Sequence, residues 1–499
     1  MANAYILVVM GILCAKVAGF LRDAVFASQF GTGVESDIYF QIFGIASLIF
    51  TAVGSALSTL IIKNINKSEY SAQGNQEKYA AHFMRRISLM VIGVTCLLYI
   101  FAGSIVKVLL PNLEGADFDL ALRIMYIMLP SFVFICIAYM MSGLLQNRRV
   151  FFTPSVMSLP YNVIVIAVLI FGVDDIELIS AVTTLGWFLH IVIQLPDFYR
   201  KGYGFFLPAK DIAKGSGSDN VRETLYIFAS GLMLQLCFMT DKIFVNADEG
   251  MVSTLSYGSN LFITFSGMFV VAMSSVVFPA ISQNYEHGEM DYVRELIRYM
   301  IKLMVSIFAF YLIAVVFFGE FAISLIYERG AFTHQDTVKV ALAFTVYSFA
   351  IFGYLGQNIL NKLFYIAGKY RITVIGAIAV VALNAIVDYF LSPIFGVYFV
   401  AWSSTVLLSL YTVFIAVKLK GIIGGYITKE LIRTLAKILV SSGVTVAFLV
   451  VWNIFAPEAL TSGYAKFVPF GISVVIYALA MFATGVVKDL FATPLSKVK

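Results

Sequence analysis

Apolar stretches of about 20 residues recur along the whole length of this 499-residue chain. As an α-helix, each stretch is long enough to cross the hydrocarbon core of a bilayer, which is about 30 Å thick. The chain is 60% hydrophobic and only 13% charged, whereas a soluble protein carries about 25% charged residues. Because a backbone in lipid must satisfy its own hydrogen bonds, these stretches are helices. The sequence therefore predicts an all-α polytopic membrane protein.

We predict about 14 transmembrane helices, with the first one retained rather than cleaved as a signal peptide, because no basic segment precedes it. The predicted spans lie near 4–28, 38–62, 85–109, 121–146, 153–172, 178–198, 223–246, 252–282, 295–318, 337–366, 372–391, 396–417, 432–454 and 465–487. The loops between them alternate between basic and acidic composition, and the basic set includes Lys63, Lys67, Arg148, Arg149, Arg200, Lys201, Arg294, Arg298, Lys369, Arg371, Lys418 and Lys420. Since cytoplasmic loops collect Lys and Arg, we expect both termini in the cytoplasm.

An internal repeat divides the chain. The segment Phe20–Phe26 matches Phe238–Phe244, 218 positions later, and the motif that begins at Asn162 matches the one at Asn384, 222 positions later. A near-constant offset predicts two pseudo-symmetric six-helix lobes with substrate bound between them, as in other parallel-repeat transporters. The predicted domains are an N-lobe at 1–199, an interlobe linker at 200–222, a C-lobe at 223–420 and a two-helix C-terminal appendage at 421–499.

Charged residues inside the first span are the strongest functional signal. Lys16, Arg22 and Asp23 all fall within it, and a charge at membrane depth costs roughly 2.5–3.5 kcal/mol on insertion scales. Two cations and one anion leave a positive surplus, and Lys and Arg bind phosphate oxygens well. We expect a cationic patch that faces a cavity and binds an anion. The alternative is an intramembrane salt bridge from Lys16 or Arg22 to Asp23, with no ligand.

A second polar group is predicted on the outer half of later spans. Asn384 and Asp388 are four residues apart on one helix face, as are Val400 and Ser404, and Asp241 lies in the seventh span. Oxygen ligands of this kind suit a hard cation such as sodium. A shared proton is the competing occupant, because two nearby carboxylates can hold one. A plain ion pair between Asp241 and the adjacent Lys242 is the third interpretation.

Two further polar residues are candidates for function. Asp37 follows the turn Gly31-Thr-Gly33 at the predicted outer end of the second span, as either a gate partner or an exposed loop acid. Asn260 either lines the cavity or only hydrogen-bonds between helices. The sequence has no P-loop, HExxH or GxSxG motif, so we expect no enzymatic activity and no cofactor beyond a possible sodium ion. The net charge of +5 is attributed to the loops, and we expect no nucleic-acid partner.

The opening motif resembles a known family. The pattern Lys16-x-x-Gly-Phe-x-Arg22-Asp23, continuing through Gly31-x-Gly33 and Asp37-x-x-Phe40, resembles the start of the MurJ/MviN family of lipid II flippases. These proteins belong to the multidrug/oligosaccharidyl-lipid/polysaccharide exporter superfamily. The stretch Tyr327-Glu-Arg-Gly-Ala-Phe332 is similar to the family's sequence before span 10.

The resemblance implies a flippase for peptidoglycan biosynthesis and cell shape. It would move an undecaprenyl-diphosphate-linked precursor, lipid II, from the inner to the outer leaflet of the bacterial cytoplasmic membrane. Transport would proceed by alternating access, driven by a cation or the membrane potential. Expected partners are the lipid-linked oligosaccharide, membrane lipid, and cell-wall synthesis or division proteins.

The resemblance also assigns roles to individual residues. It implies that Lys16 and Arg22 bind the diphosphate, and that Asp37 is the family's essential acid. With Asp23 and Asn260, these form the predicted substrate site, and the implied sodium ligands are Asp241, Asn384, Asp388, Val400 and Ser404. The chain departs from the family in four places: Lys16 and Asn260 stand where well-known members have arginine, and Phe50 and Ser55 stand where some have arginine and glutamate.

Four other functions remain open at this point. A flippase for a different polyprenyl-diphosphate glycan, of the O-antigen or teichoic type, would need the same cations. A cation-coupled drug exporter would favour acids in its cavity, which Lys16 and Arg22 oppose. A membrane glycosyltransferase or ligase needs a catalytic acid beside an outer sugar site. A scaffold for cell-wall enzymes would need no charge inside the membrane.

Overall fold

The computed structural model describes residues 2–65, 75–205, 233–245, 248–456 and 463–491. Within these ranges the chain forms α-helices joined by short turns, with one 3₁₀ turn at Gly463–Lys466 and no strand. Nine of the described helices are long and apolar enough to cross a membrane, or up to ten if one bent pair counts as a single span. The predicted all-α polytopic membrane fold is therefore confirmed, while the count of 14 spans stays a prediction.

The helices follow the predicted spans closely. The first nine are α1 (Ala2–Phe30), α2 (Val34–Ile65), α3 (Asn75–Leu109), α4 (Gly115–Met128), α5 (Ser131–Asn147), α6 (Phe152–Ser155), α7 (Leu159–Ile170), α8 (Ile176–Val192) and α9 (Leu195–Arg200). The remaining ten are α10 (Met233–Val245), α11 (Met251–Glu286), α12 (Met290–Tyr327), α13 (His334–Ser348), α14 (Ile351–Ile366), α15 (Tyr370–Phe395), α16 (Phe399–Ile423), α17 (Lys429–Phe455), α18 (Phe467–Ala483) and α19 (Val486–Phe491).

Several predicted spans are helix pairs rather than single helices. Pro130 separates α4 from α5, and Pro160 and Pro196 lie in the first turns of α7 and α9. Proline lacks an N–H and its ring clashes with the preceding turn, so at these three positions a new helix begins at or next to the proline. The pair α13 and α14 is bent by 43° at the break between them.

The chain divides into two compact units. The first comprises Met1–Ser256, Arg329–Thr333 and Ala377–Val400. In this unit α2 packs on α5, and α7 packs on both α1 and α8. Fully buried side chains such as Ile61 and Met84 form its apolar core with residues of α5 and α9.

The second unit comprises Tyr257–Glu328, His334–Gly376 and Ala401–Lys499. Here α12 packs against α13 and α17, and α17 packs against α18. The Tyr477 hydroxyl donates to the Ser306 carbonyl oxygen at 2.6 Å, and Ile438 is fully buried beside it. The predicted two-helix appendage therefore packs on α12 within this unit.

The predicted lobes stay a prediction. Of the linker predicted at 200–222, only residues up to 205 are described, and 223–232 of the seventh predicted span also lie outside the described residues. The outward faces of the helices are apolar, as lipid contact requires: Phe171 is 87% exposed and Ile100 is 74% exposed. All four cysteines are free thiols: Cys14 and Cys96 are exposed, and Cys136 and Cys237 are buried.

Candidate functional site

Arg22 forms an ion pair inside the first unit. Its Nη2 lies 2.6 Å from Asp23 Oδ1, and its Nε donates to the same oxygen at 3.0 Å. Its Nη1 donates to the Asn162 side-chain oxygen on α7 at 3.3 Å. The Asn162 amide in turn donates to the carbonyl oxygens of Ala15 and Ser158, which fixes its orientation. Asp23 and α7 together therefore hold the guanidinium in place.

Aromatic rings complete the surroundings of Arg22. The Arg22 Cζ lies 5.0 Å from the Tyr161 ring centroid and 5.6 Å from that of Phe43. The face of an aromatic ring attracts a cation and does so more strongly away from water. Sequence reasoning missed both rings, because a Tyr or Phe in an apolar span carries no distinguishing signal. The match between Asn162 and Asn384 was the one available hint to this neighbourhood.

Lys16 carries the remaining positive charge of the first helix. It is half-buried, and in the described part of the chain no hydrogen bond or ion pair involves it. The intramembrane salt bridge that the sequence allowed therefore forms, but it uses Arg22 and not Lys16. Because Asp23 offsets the charge of Arg22, the positive surplus of this segment lies on Lys16.

Asp37 is buried and binds a distant helix terminus. It is 7% exposed, and its two carboxylate oxygens accept from the backbone N–H of Gly250 at 2.8 Å and of Ser253 at 2.7 Å. These N–H groups lie at the N-terminus of α11, where the helix has unsatisfied donors and a positive dipole end. Asp37 is thus an N-terminal cap supplied from more than 200 residues away, and the interpretation as an exposed loop acid is wrong.

The turn at Gly31 and the loop at Gly330 contact each other near this cap. The Ala331 N–H donates to the Ser28 carbonyl oxygen at 2.8 Å, which joins the Glu-Arg-Gly-Ala loop to the end of α1. Gly31 and Gly330 have φ values of 55° and 61°, a region that L side chains rarely adopt. A Cβ on Gly31 would lie 2.6 Å from the Ala331 oxygen, so the close approach also requires glycine.

The predicted cation ligands are partly assembled in the first unit. The Asn384 Nδ2 donates to Asp388 Oδ2 at 3.0 Å and lies 3.5 Å from Asp241 Oδ1. All three side chains are fully buried. Two carboxylates that share one amide in a buried site require a compensating positive charge.

Lys242 supplies part of that charge. It is buried, and it interacts electrostatically with both Asp241 and Asp37. A bound monovalent cation or a proton would add further positive charge at this cluster. Oxygen ligands of this kind are typical of hard cations, and within the described ranges no three His, Cys, Asp or Glu side chains cluster as a metal centre.

The other predicted ligands and Asn260 lie on two helices. Val400 is fully buried on α16 in the first unit, and Ser404, one turn later, is buried in the second unit. Asn260 is half-buried on α11 in the second unit, where its backbone oxygen accepts from Thr264 at 2.8 Å. Phe50 and Ser55 lie on α2, and their side chains are outside the described part of the structure.

The ion pair of Arg22 predicts an asymmetric response to mutation. Asp23→Asn should lower the free energy of unfolding in mixed micelles by about 3 kcal/mol, because a largely buried guanidinium loses its counter-charge. The double variant Arg22→Met/Asp23→Leu should lose less than this, since no charge is left unpaired. Asp119→Asn, at an exposed acid, is the control. A double variant that is less stable than Asp23→Asn would contradict this account of the pair.

The chain matches a protein-family model and several curated relatives. The family model described as "Lipid II flippase MurJ" matches residues 26–488. A "Probable lipid II flippase MurJ" of Synechocystis is 23% identical over 419 residues, which cover 79% of this chain and 77% of the relative.

Solved structures share the fold. A structure titled "Lipid II flippase MurJ, inward closed conformation" has a TM-score of 0.80 at 19% identity and covers 97% of this chain and 100% of its own. A multidrug resistance MATE family transporter of the MOP superfamily has a TM-score of 0.65 at 14% identity, covering 84% of this chain and 98% of its own. The family match spans almost the entire chain, which therefore belongs to the lipid II flippase MurJ family.

Proposed function

We propose that this chain moves lipid II from the inner to the outer leaflet of the bacterial cytoplasmic membrane. Family membership supports the substrate, and one observation within the chain supports its mode of binding: Lys16 is a half-buried cation of the first helix that no described acid offsets. A diphosphate is the part of the substrate that such a cation would bind. Arg22, held in place by Asp23 and Asn162, adds further donors on the same helix.

In this proposal, the hydrogen bonds between Asp37 and the N-terminus of α11 form the gate. The charge alternation of the loops predicts that Asp37 and the loop at Gly330 lie on the outer side of the membrane. Hydrogen bonds from α11 to Asp37, and from Ala331 to α1, would keep that side closed while the substrate enters from within. Release of the substrate would require these contacts to break, as alternating access demands.

Coupling to an ion completes the proposal. A sodium ion bound by Asp241, Asn384 and Asp388 would neutralise the buried charge that these groups share. Lys242 interacts electrostatically with both Asp241 and Asp37. A change in charge at the cluster would therefore change the electrostatic energy of Asp37 at the gate. We further propose that both termini are cytoplasmic and that cell-wall synthesis or division proteins are partners.

Complementation tests the function and the gate together. In cells depleted of their own lipid II flippase, the wild-type chain should restore growth. Asp37→Asn should fail to do so, because an amide has one acceptor oxygen and its NH2 group cannot accept from the second α11 N–H group. Losing one of these two charge-assisted bonds costs about 1–2 kcal/mol, which shifts a gate equilibrium by roughly 5- to 30-fold. Growth is measured alongside the amount of protein in the membrane.

Asp248→Asn is the matched control, since Asp248 is an exposed acid immediately before the same helix. A wild-type chain that is present in the membrane but does not rescue would point to a different lipid-linked glycan. Rescue by Asp37→Asn equal to that of the wild type would argue against the gate.

Sodium binding is tested by isothermal titration of the purified protein. We expect saturable heat with sodium chloride and none with choline chloride. Asp388→Asn should weaken binding by about tenfold or more, because a buried carboxylate ligand is lost. Glu177→Gln, at a surface carboxylate that pairs with Arg123, should bind as the wild type does. If sodium does not bind and proton uptake depends on Asp388, the coupling ion is a proton rather than sodium.

A further inference from the structure

A polar cavity lies within the second unit, between α12, α17 and α19. Its volume is about 430 Å³, and it is lined by Arg298 and Lys302 of α12, by Arg433 and Lys437 of α17, and by Asp489 of α19. In each cation pair the two residues are four apart, so both lie on the same face of their helix. The cavity volume falls in the range of sites that hold small ligands.

One of these four cations, Lys437, forms an ion pair with an acid of the cavity. The Lys437 ammonium donates to Asp489 Oδ2 at 2.8 Å, and the Thr434 hydroxyl donates to the same oxygen at 3.1 Å. Burial raises the pKa of Asp489, but these hydrogen bonds outweigh it and hold the pKa below its ordinary value. Asp489 is therefore ionised and offsets the charge of Lys437.

The other three cations have only longer-range counter-charges: Lys302 interacts electrostatically with Asp489, and Arg298 with Asp291. Among the residues that the structure describes, Arg298, Lys302 and Arg433 make no hydrogen bond and no ion pair within 4 Å. Glu295 and Glu430 also line the cavity, and no cation of the described residues approaches either of them within that distance.

Glu295 and Glu430 offset part of the positive charge of the cavity. Glu430 occupies the first turn of α17, where the helix dipole also favours an acid. The four cations and three acids that line the cavity leave one net positive charge. An anion from outside the chain would balance it.

The surroundings indicate what kind of anion. One turn deeper along the same helices, Ile438, Tyr477 and Met481 form an apolar core. Beside it, Leu439 and Phe482 are 68% and 73% exposed, as side chains that face lipid are. The cavity thus lies at the boundary between polar surface and hydrocarbon, and the basic loops predict that this boundary is the cytoplasmic one.

We propose that this cavity binds the phosphate headgroup of an anionic glycerophospholipid of the surrounding bilayer, with Arg298, Lys302 and Arg433 as its ligands. Basic pockets between transmembrane helices on the cytoplasmic side are suited to such headgroups. The acyl chains would run along the exposed apolar faces of α17 and α18. This gives the two-helix appendage, which has no counterpart in the repeat, a binding role that is independent of the transport proposal.

Lipid titration of the full-length purified protein tests the proposal. Phosphatidylglycerol should raise the thermal unfolding midpoint of the wild type in a saturable way, and native mass spectrometry should show it retained. Arg298→Gln/Lys302→Gln should weaken its apparent affinity by about 10- to 30-fold, since each cation near a membrane surface contributes at most about a fivefold effect.

The matched control is Lys369→Gln/Arg371→Gln, which removes the same charge from an exposed turn on the same predicted side. It should bind phosphatidylglycerol as the wild type does. If the cavity double variant does not fold, Arg433→Gln, at an exposed side chain, provides the same comparison with one cation removed.

Three results would overturn the proposal. Equal phosphatidylglycerol binding by the wild type and the cavity variants would exclude these cations as ligands. Equal stabilisation by phosphatidylcholine would show that the headgroup charge is irrelevant. Equal stabilisation by soluble glycerol phosphate, with no added effect of acyl chains, would mean that the cavity takes a free phosphate rather than a lipid.

Discussion

The cost of burying charge away from water governs the first unit. A buried ion that lacks a partner destabilises a protein by several kcal/mol, and the charged side chains of this unit's polar sites are paired accordingly: Arg22 has Asp23, and Asp37 has the N-terminus of α11. The carboxylates at 241 and 388 share the Asn384 amide. Lys16 is the exception among the described residues of these sites, and the proposed binding of a diphosphate depends on that exception.

In each predicted repeat, an asparagine of a later helix contacts the same two-residue segment of the first helix, but the charge of that segment differs. In the first, Asn162 reaches the Arg22–Asp23 pair, and in the second its counterpart Asn384 reaches Asp241, the counterpart of Asp23. Thr240 replaces Arg22 and hydrogen-bonds within its own helix, to the Leu236 carbonyl oxygen at 2.8 Å. With the arginine absent and Asp388 added, the second copy has become acidic. The first copy therefore carries an arginine beside its acid, and the second carries two carboxylates.

Local patterns in the sequence predicted the parts of the fold that depend on local forces. Apolar stretches located the described helices, because hydrocarbon thickness sets a minimum length, but some helices extend up to ten residues beyond the predicted spans, as α3 and α12 do. The four-residue spacing of Asn384 and Asp388 predicted their contact, because a helix places such side chains on one face.

Contacts between distant segments could not be predicted in this way. Whether Lys16 or Arg22 pairs with Asp23 depends on Asn162 and Tyr161, which come from a helix 140 residues away. The cap from Asp37 to Ser253 joins residues 216 positions apart, and helix spacing carries no information about such a pair. The basic cavity likewise needs α12 and α17 side by side, while the sequence shows only two separate basic segments.

Movement of lipid II by the purified protein tests the central claim most directly. In proteoliposomes that contain fluorescent lipid II, the fraction accessible to a membrane-impermeant quencher should change with time when the wild-type chain is present. Lys16→Arg should retain this activity, because the positive charge is kept, and Lys16→Ala should reduce the rate at least tenfold. Transport by Lys16→Ala at the wild-type rate would contradict the proposed role of the first helix, and no movement by the wild type would contradict the proposed function.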